Sequence, residues 1–169
     1  DTTEFWRNIA GYALYDCQPH ILTDALIEEA EQTLGYKLPQ AYLSLIRYHN
    51  GGIPEKNYYS YVEDGQLCWE SFNAILGIAD KEKWLNTEHS LLGSCGSQHI
   101  IEAGGFPSDI GVVAFDSRDN RAIFLDYRRC GPEGEPCITL VKRVGSEYRE
   151  YPLADSFEEF IRGLQDSTV

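Results

Sequence analysis

The chain has 169 residues, of which 43% are hydrophobic, and a formal net charge of -13 from 27 acidic and 14 basic side chains. That apolar content is enough for one buried core and excludes an acidic disordered tail. The charge argues against a nucleic acid as partner, because phosphates demand a basic footprint, and suits a basic protein, towards which complementary fields steer diffusion.

In chain order, residues 3–15 predict a helix with Phe5, Trp6, Ile9, Tyr12 and Ala13 on one side. After the break at Pro19 and His20, Thr23 or Asp24 can cap a second helix that carries Leu26, Ile27, Ala30 and Leu34 at helical spacing and stops at Gly35. Pro39 fits the first turn of a third helix over 39–48, burying Tyr42, Leu43, Leu45 and Ile46 and ending at Asn50-Gly51-Gly52. Tyr58–Val62 and Gln66–Trp69 are β-type runs around Glu63-Asp64-Gly65, a tight-turn signal. Ala74–Ile78 is a short apolar run suited to a strand, and Asp80–Thr87 predicts a helix. The Gly- and Ser-rich stretch 92–107 reads as a loop or irregular strand.

The strongest sheet signal follows. IGVVAF and RAIFLDY flank the polar turn 116–120, and CITLVKR is a third strand after the turn region 132–136. Residues 147–151 can pair with that strand as an edge. A last helix holds Phe157, Phe160, Ile161 and Leu164, and its start carries two overlapping capping boxes, Asp155 with Glu158 and Ser156 with Glu159. The expectation is a single α+β domain spanning 1–169: N-terminal helices, a central, mostly antiparallel sheet and a closing helix.

Chemistry-bearing motifs are sparse. No stretch of about 18 apolar residues could span a membrane, and the N-terminal segment lacks the basic start and apolar block of a signal peptide. The sequence contains no methionine, so the natural chain is expected to start upstream of Asp1. Cys17, Cys68, Cys95, Cys130 and Cys137 are scattered without a C-x-x-C pair, which points to a reducing cytoplasm and not to a disulfide framework or zinc knuckle. His20, His49, His89 and His99 have no metal-ligand spacing, and Asp116-x-Arg118-x-Asn120 puts an arginine where a calcium loop needs an oxygen. The isolated Gly51-Gly52 and Gly104-Gly105 pairs form no phosphate loop. Cys95, with His99 or His89 as base, is the best nucleophile, but no local signature supports acyl transfer. Catalytic, metal and cofactor sites are therefore not expected.

Aromatic residues beside acids are the remaining feature. Tyr58, Tyr59, Tyr61 and Trp69 lie close to Glu63, Asp64 and Glu70, with Asp116 and Asp119 in the later turn. In a strand, Tyr59 and Tyr61 share one face and Tyr58 takes the other. One face is expected to pack on the core; the opposite one offers rigid aromatic anchors ringed by acid.

The run Leu34-Gly35-Tyr36-Lys37-Leu38-Pro39-Gln40-Ala41-Tyr42, continuing to Asn50-Gly51-Gly52, resembles the N-terminal signature of the SUKH superfamily, which includes the yeast Smi/Knr-type cell-wall assembly regulators. Ile110-Gly111, Leu125-Asp126-Tyr127-Arg128, Gly131-Pro132 and Gly134-Glu135-Pro136 resemble its central sheet, and Ala154–Phe160 resembles its closing helix. The resemblance implies an α+β fold with no shared catalytic constellation. It also implies a bacterial immunity protein that neutralises a toxin domain, often a nuclease, by direct binding, or alternatively a non-toxin regulatory interaction module. The segment 53–105 matches the family least and is where partner specificity is expected.

Overall fold

The computed structural model describes residues 4–7, 22–82 and 87–167. Of the helices expected over 3–15 and 80–87, residues 3, 8–15 and 83–86 lie outside these residues, and the described residues 80–82 and 87 are not helical. At the N-terminal end, Trp6 bridges to Pro54 and stacks on His49, with ring centroids 5.0 Å apart.

Helix α1 (Asp24–Leu34) starts at Thr23, whose hydroxyl accepts from the Leu26 N–H at 3.2 Å, so Thr23 and not Asp24 is the cap. Gly35, at φ 82°, ends the helix in the left-handed region as the sequence predicts. Helix α2 (Gln40–Tyr48) follows Pro39 and buries Tyr42, Leu43, Leu45 and Ile46. The Tyr42 hydroxyl, inside the core, donates to the Leu76 carbonyl at 2.5 Å and so meets the rule that a buried polar group needs a partner.

Strands β1 (Tyr58–Glu63) and β2 (Gln66–Ser71) form an antiparallel hairpin whose two-residue turn has Asp64 at φ 51° and Gly65 at φ 79°, the paired positive φ values of a type I′ turn. Strand β3 (Ala74–Ile75) is shorter than the apolar run around it. The expected loop at 92–107 is instead interrupted by helix α3 (Ser97–Gly104), capped by Gly96 and Gly105. Its apolar Ile100 and Ile101 occupy only one turn between glycines, which hides the helical period from a sequence reading. The Ser97 hydroxyl ties the helix to the sheet by accepting from the Val113 N–H at 2.9 Å.

The IGVVAF run is not one strand. Strand β4 (Gly111–Val113) pairs with β6 (Arg121–Asp126), whereas β5 (Phe115–Asp116) pairs with β3, and Ala114 is the point of transfer. Strands β7 (Cys137–Val144) and β8 (Glu147–Ala154) complete a four-stranded antiparallel sheet in the order β4-β6-β7-β8. The closing helix α4 (Phe157–Arg162) takes the Ser156–Glu159 box: Ser156 Oγ accepts from the Glu159 N–H, and the Glu159 carboxylate reaches back to the Asp155 N–H.

Register assigns the two faces of this sheet. Ile123, Leu125, Ile138 and Leu140 point into the main core with Tyr42, Phe72, Phe115, Phe157 and Phe160. Ala122, Phe124 and Val141 point the other way, under Ile101, Phe106 and Ile110. The α+β class is as expected, and α3 with its flanking loop covers the second face of the sheet.

Candidate functional site

The hairpin is the element that separates buried chemistry from accessible surface. Alternation puts Tyr59, Tyr61, Cys68 and Glu70 on one face and Tyr58, Ser60, Val62, Leu67 and Trp69 on the other. Tyr59 and Tyr61 are 3% and 4% exposed and belong to the main core, so they are not available as surface anchors. On the opposite face Val62 is 60%, Leu67 63% and Trp69 38% exposed. Val62 pairs directly with Leu67, and Ser60 with Trp69, so the three apolar side chains form one patch. Tyr58 lies at its base, half-buried.

Beneath the hairpin runs a network of charged groups. Arg121 of β6 pairs with Glu70. Lys142 of β7 donates to the Tyr61 hydroxyl at 2.9 Å and lies 3.3 Å from Glu63 and 3.6 Å from Glu70. Tyr61 in turn donates to Glu70, and Tyr151 of β8 to Glu63, each at 2.5 Å. The Lys142 ammonium also lies 5.2 Å from the centre of the Tyr61 ring, within cation–π range. The hydrogen bond from Tyr151, joined by Lys142, holds the Glu63 carboxyl below the usual carboxylate range. Burial alone would lower the Lys142 ammonium, but Tyr61 and Glu63 outweigh it and raise its pKa. Burial raises the Tyr59 hydroxyl, which stays protonated. Glu63 and Glu70, read from the sequence as candidate partner contacts, are thus engaged in fastening the hairpin to the sheet.

The other acids divide. Asp64, at the hairpin tip, and Asp119 are exposed. Asp116 accepts from the Asn73 side chain at 3.1 Å. Through this bond and the Arg121–Glu70 pair, the turn 116–120 sits beside the C-terminal end of β2, at the opposite end of the strand from the Asp64 tip.

A cleft of about 360 Å³ gathers Cys95, His89 and His99 with Asp116, Arg118 and Arg143. Lining one cleft places these groups in the same region without establishing a thiol–imidazole pair. Arg143 is turned to the Gly104 carbonyl at 3.2 Å. No group of three or more His, Cys, Asp or Glu side chains among the described residues could hold a metal ion, and no described helix is long and apolar enough to cross a membrane.

The sequence reading did not single out Val62 and Leu67. Their signal was the register itself: a two-residue turn places 62 opposite 67 on the face that carries Trp69. Arg121 and Lys142 lie 51 and 79 residues from Glu70 and Glu63 in the chain, and no local pattern announces them.

The α+β domain thus anchors a β-ribbon by partly buried ion pairs and shows solvent the ribbon's apolar face, with an aromatic side chain of the kind enriched at protein interfaces. The sequence matches the model of the SMI1/KNR4 family (SUKH-1) over residues 21–163, and the chain belongs to that family. Membership points to a protein partner. No curated protein matches the chain.

Proposed function

We propose that the protein is a cytoplasmic immunity protein that binds a toxin domain and neutralises it by direct protein–protein contact. The observation that carries this reading is the exposed Val62–Leu67–Trp69 face in a family member of net charge -13. A nuclease toxin must present a basic groove to nucleic acid. An acidic protein with apolar anchors complements such a groove: charge speeds encounter, and burial of an aromatic side chain slows release. The reading asks nothing of the buried ion pairs except that they hold the ribbon in place.

The test is co-expression with the toxin domain encoded beside its gene. Growth restored by the wild-type protein, and lost when Trp69 and Leu67 are both replaced by alanine in a folded variant, supports the reading. Continued growth arrest with the protein folded and abundant contradicts it, and a gene neighbourhood without any toxin favours the regulatory-module alternative.

A further inference from the structure

The backbone of the hairpin carries information that its side chains do not. Tyr58 exchanges two hydrogen bonds with Gln165, its N–H donating at 3.0 Å and its carbonyl accepting at 2.9 Å. Its polar backbone groups therefore point away from β2. In an antiparallel pair this orientation alternates, so Ser60 and Val62 point the same way and their partners Ser71, Trp69 and Leu67 direct their own N–H and C=O groups to the far edge of β2. Among the described residues, nothing hydrogen-bonds the main chain of Leu67, Trp69 or Ser71 there.

Exposed strand edges are ordinarily guarded, and the edges of β8 and β2 differ in that respect. Strand β8, at the border of the large sheet, contains Pro152, a register shift opposite Ile138 and Thr139, and the charged run Glu147 to Glu150. These are standard devices against edge-to-edge pairing. Strand β2, Gln-Leu-Cys-Trp-Glu-Ser, has no proline, no lysine and no bulge over six regular pairs, and its one charged side chain, Glu70, is held under the ribbon by Arg121 and Tyr61 and not at the open edge. It is open, regular and flanked by exposed apolar side chains.

We propose that β2 is a strand-acceptor edge, to which an extended segment of a basic partner protein adds as a third strand. The inference rests on the protein-binding reading above and specifies its mode: main-chain bonds at Leu67, Trp69 and Ser71, with the partner's apolar side chains on the Val62–Leu67–Trp69 patch. Charge selects the occupant. Two copies of this chain would each bring a net charge of -13 to the contact, whereas a lysine- or arginine-bearing segment laid along β2 runs between Asp64 at the ribbon tip and Asp119 in the turn beside the strand's other end.

The full-length protein is titrated with a synthetic peptide of about ten residues, the span of a long strand, alternating lysine with valine, while amide hydrogen exchange is followed residue by residue. Strand addition slows exchange at Leu67, Trp69 and Ser71 by at least about tenfold, and leaves the β1-paired amides of Cys68 and Glu70 as they were. Leu67→Pro removes one outward donor without touching a β1 bond and weakens binding by about tenfold, against less than about threefold for Leu67→Ala. The wild-type exchange data stand even if the proline variant fails to fold. Binding that leaves those three amides unprotected, or no binding, overturns the proposal. Protection that appears on concentrating the protein alone assigns the edge to a second copy and overturns it too. Since the peptide replaces the toxin, a negative result here is distinct from failure of the co-expression test.

Discussion

The side-chain amide of Asn50 exchanges two hydrogen bonds with the backbone of Ile78: Nδ2 donates to the carbonyl and the N–H donates to Oδ1, both at 2.8 Å. The sequence suggested only that Asn50 opens a helix-stopping turn. Buried to 1% exposure, it also ties the end of α2 to the segment that follows β3. A Cβ at Gly77 would lie 2.4 Å from Asn50 Oδ1 and 2.5 Å from the Asn50 carbonyl oxygen, so the close approach needs glycine there. Asn50→Ala strands two buried backbone groups and is expected to cost about 2–4 kcal/mol. Gly77→Ala should be similarly harmful through the clash. Chemical denaturation of both variants checks this, and a loss below about 1 kcal/mol for Asn50→Ala would remove the clamp from the account.

Glu70 is the shared anion for Arg121 and Lys142, whose side chains are only 11% and 13% exposed. Removing it leaves the poorly solvated Arg121 without that carboxylate and opposite Lys142, which keeps only Glu63. Glu70→Ala should cost about 3 kcal/mol. Replacing Glu70, Arg121 and Lys142 together by apolar residues of similar size should recover most of that loss. Thermal unfolding of the single and triple variants measures the difference.

Asp126 gives the fold a pH dependence. Burial alone would raise its pKa, but hydrogen bonds from Arg128 and Thr139 outweigh burial and hold the carboxyl below its ordinary value. A depressed folded-state value means that ionised Asp126 stabilises the protein fully above the unfolded value of about 3.9, and that this contribution is lost as pH falls through the lower folded value. Asp126→Asn should therefore be less stable than wild type by about 1–2 kcal/mol at neutral pH. The two should converge as the solution is taken from pH 4 towards pH 2. Stability curves that stay parallel over this range would show that the charge is not the source.

The two faces of the hairpin should separate in mutagenesis. Tyr59→Ala opens the core beside Phe160 and should cost about 3 kcal/mol of stability. Trp69→Ala should cost less than about 1 kcal/mol, because the ring is already partly in water, but should raise the dissociation rate from the partner by about tenfold or more. Unfolding and surface-binding kinetics on the same two variants distinguish these roles.

Much of the frame was legible because it rests on local signals. Thr23, Gly35, Pro39 and the Asp64-Gly65 turn each mark a boundary through their own backbone preferences. Helix α3 was missed because one apolar turn between glycines carries too little period. The break at Ala114 was missed because 110–115 is buried throughout, and burial on both sides erases the alternation that reveals which sheet a strand joins. At the candidate site, the cluster of tyrosines, Trp69 and acids could be seen in the sequence. Which face turned inward could not, because that depends on Arg121, Lys142 and Tyr151, which reach the hairpin from distant strands.

The proposed function is recognition of a toxin domain through direct contact with the ribbon. Calorimetric titration of the purified protein with the toxin domain encoded beside its gene, at low and at moderate salt, tests it most directly. The expected result is a one-to-one complex that weakens as salt rises and that Trp69→Ala weakens further without unfolding the protein. A complex of undiminished affinity with both Trp69 and Leu67 replaced by alanine would contradict it, as would no heat of binding from a folded, active toxin.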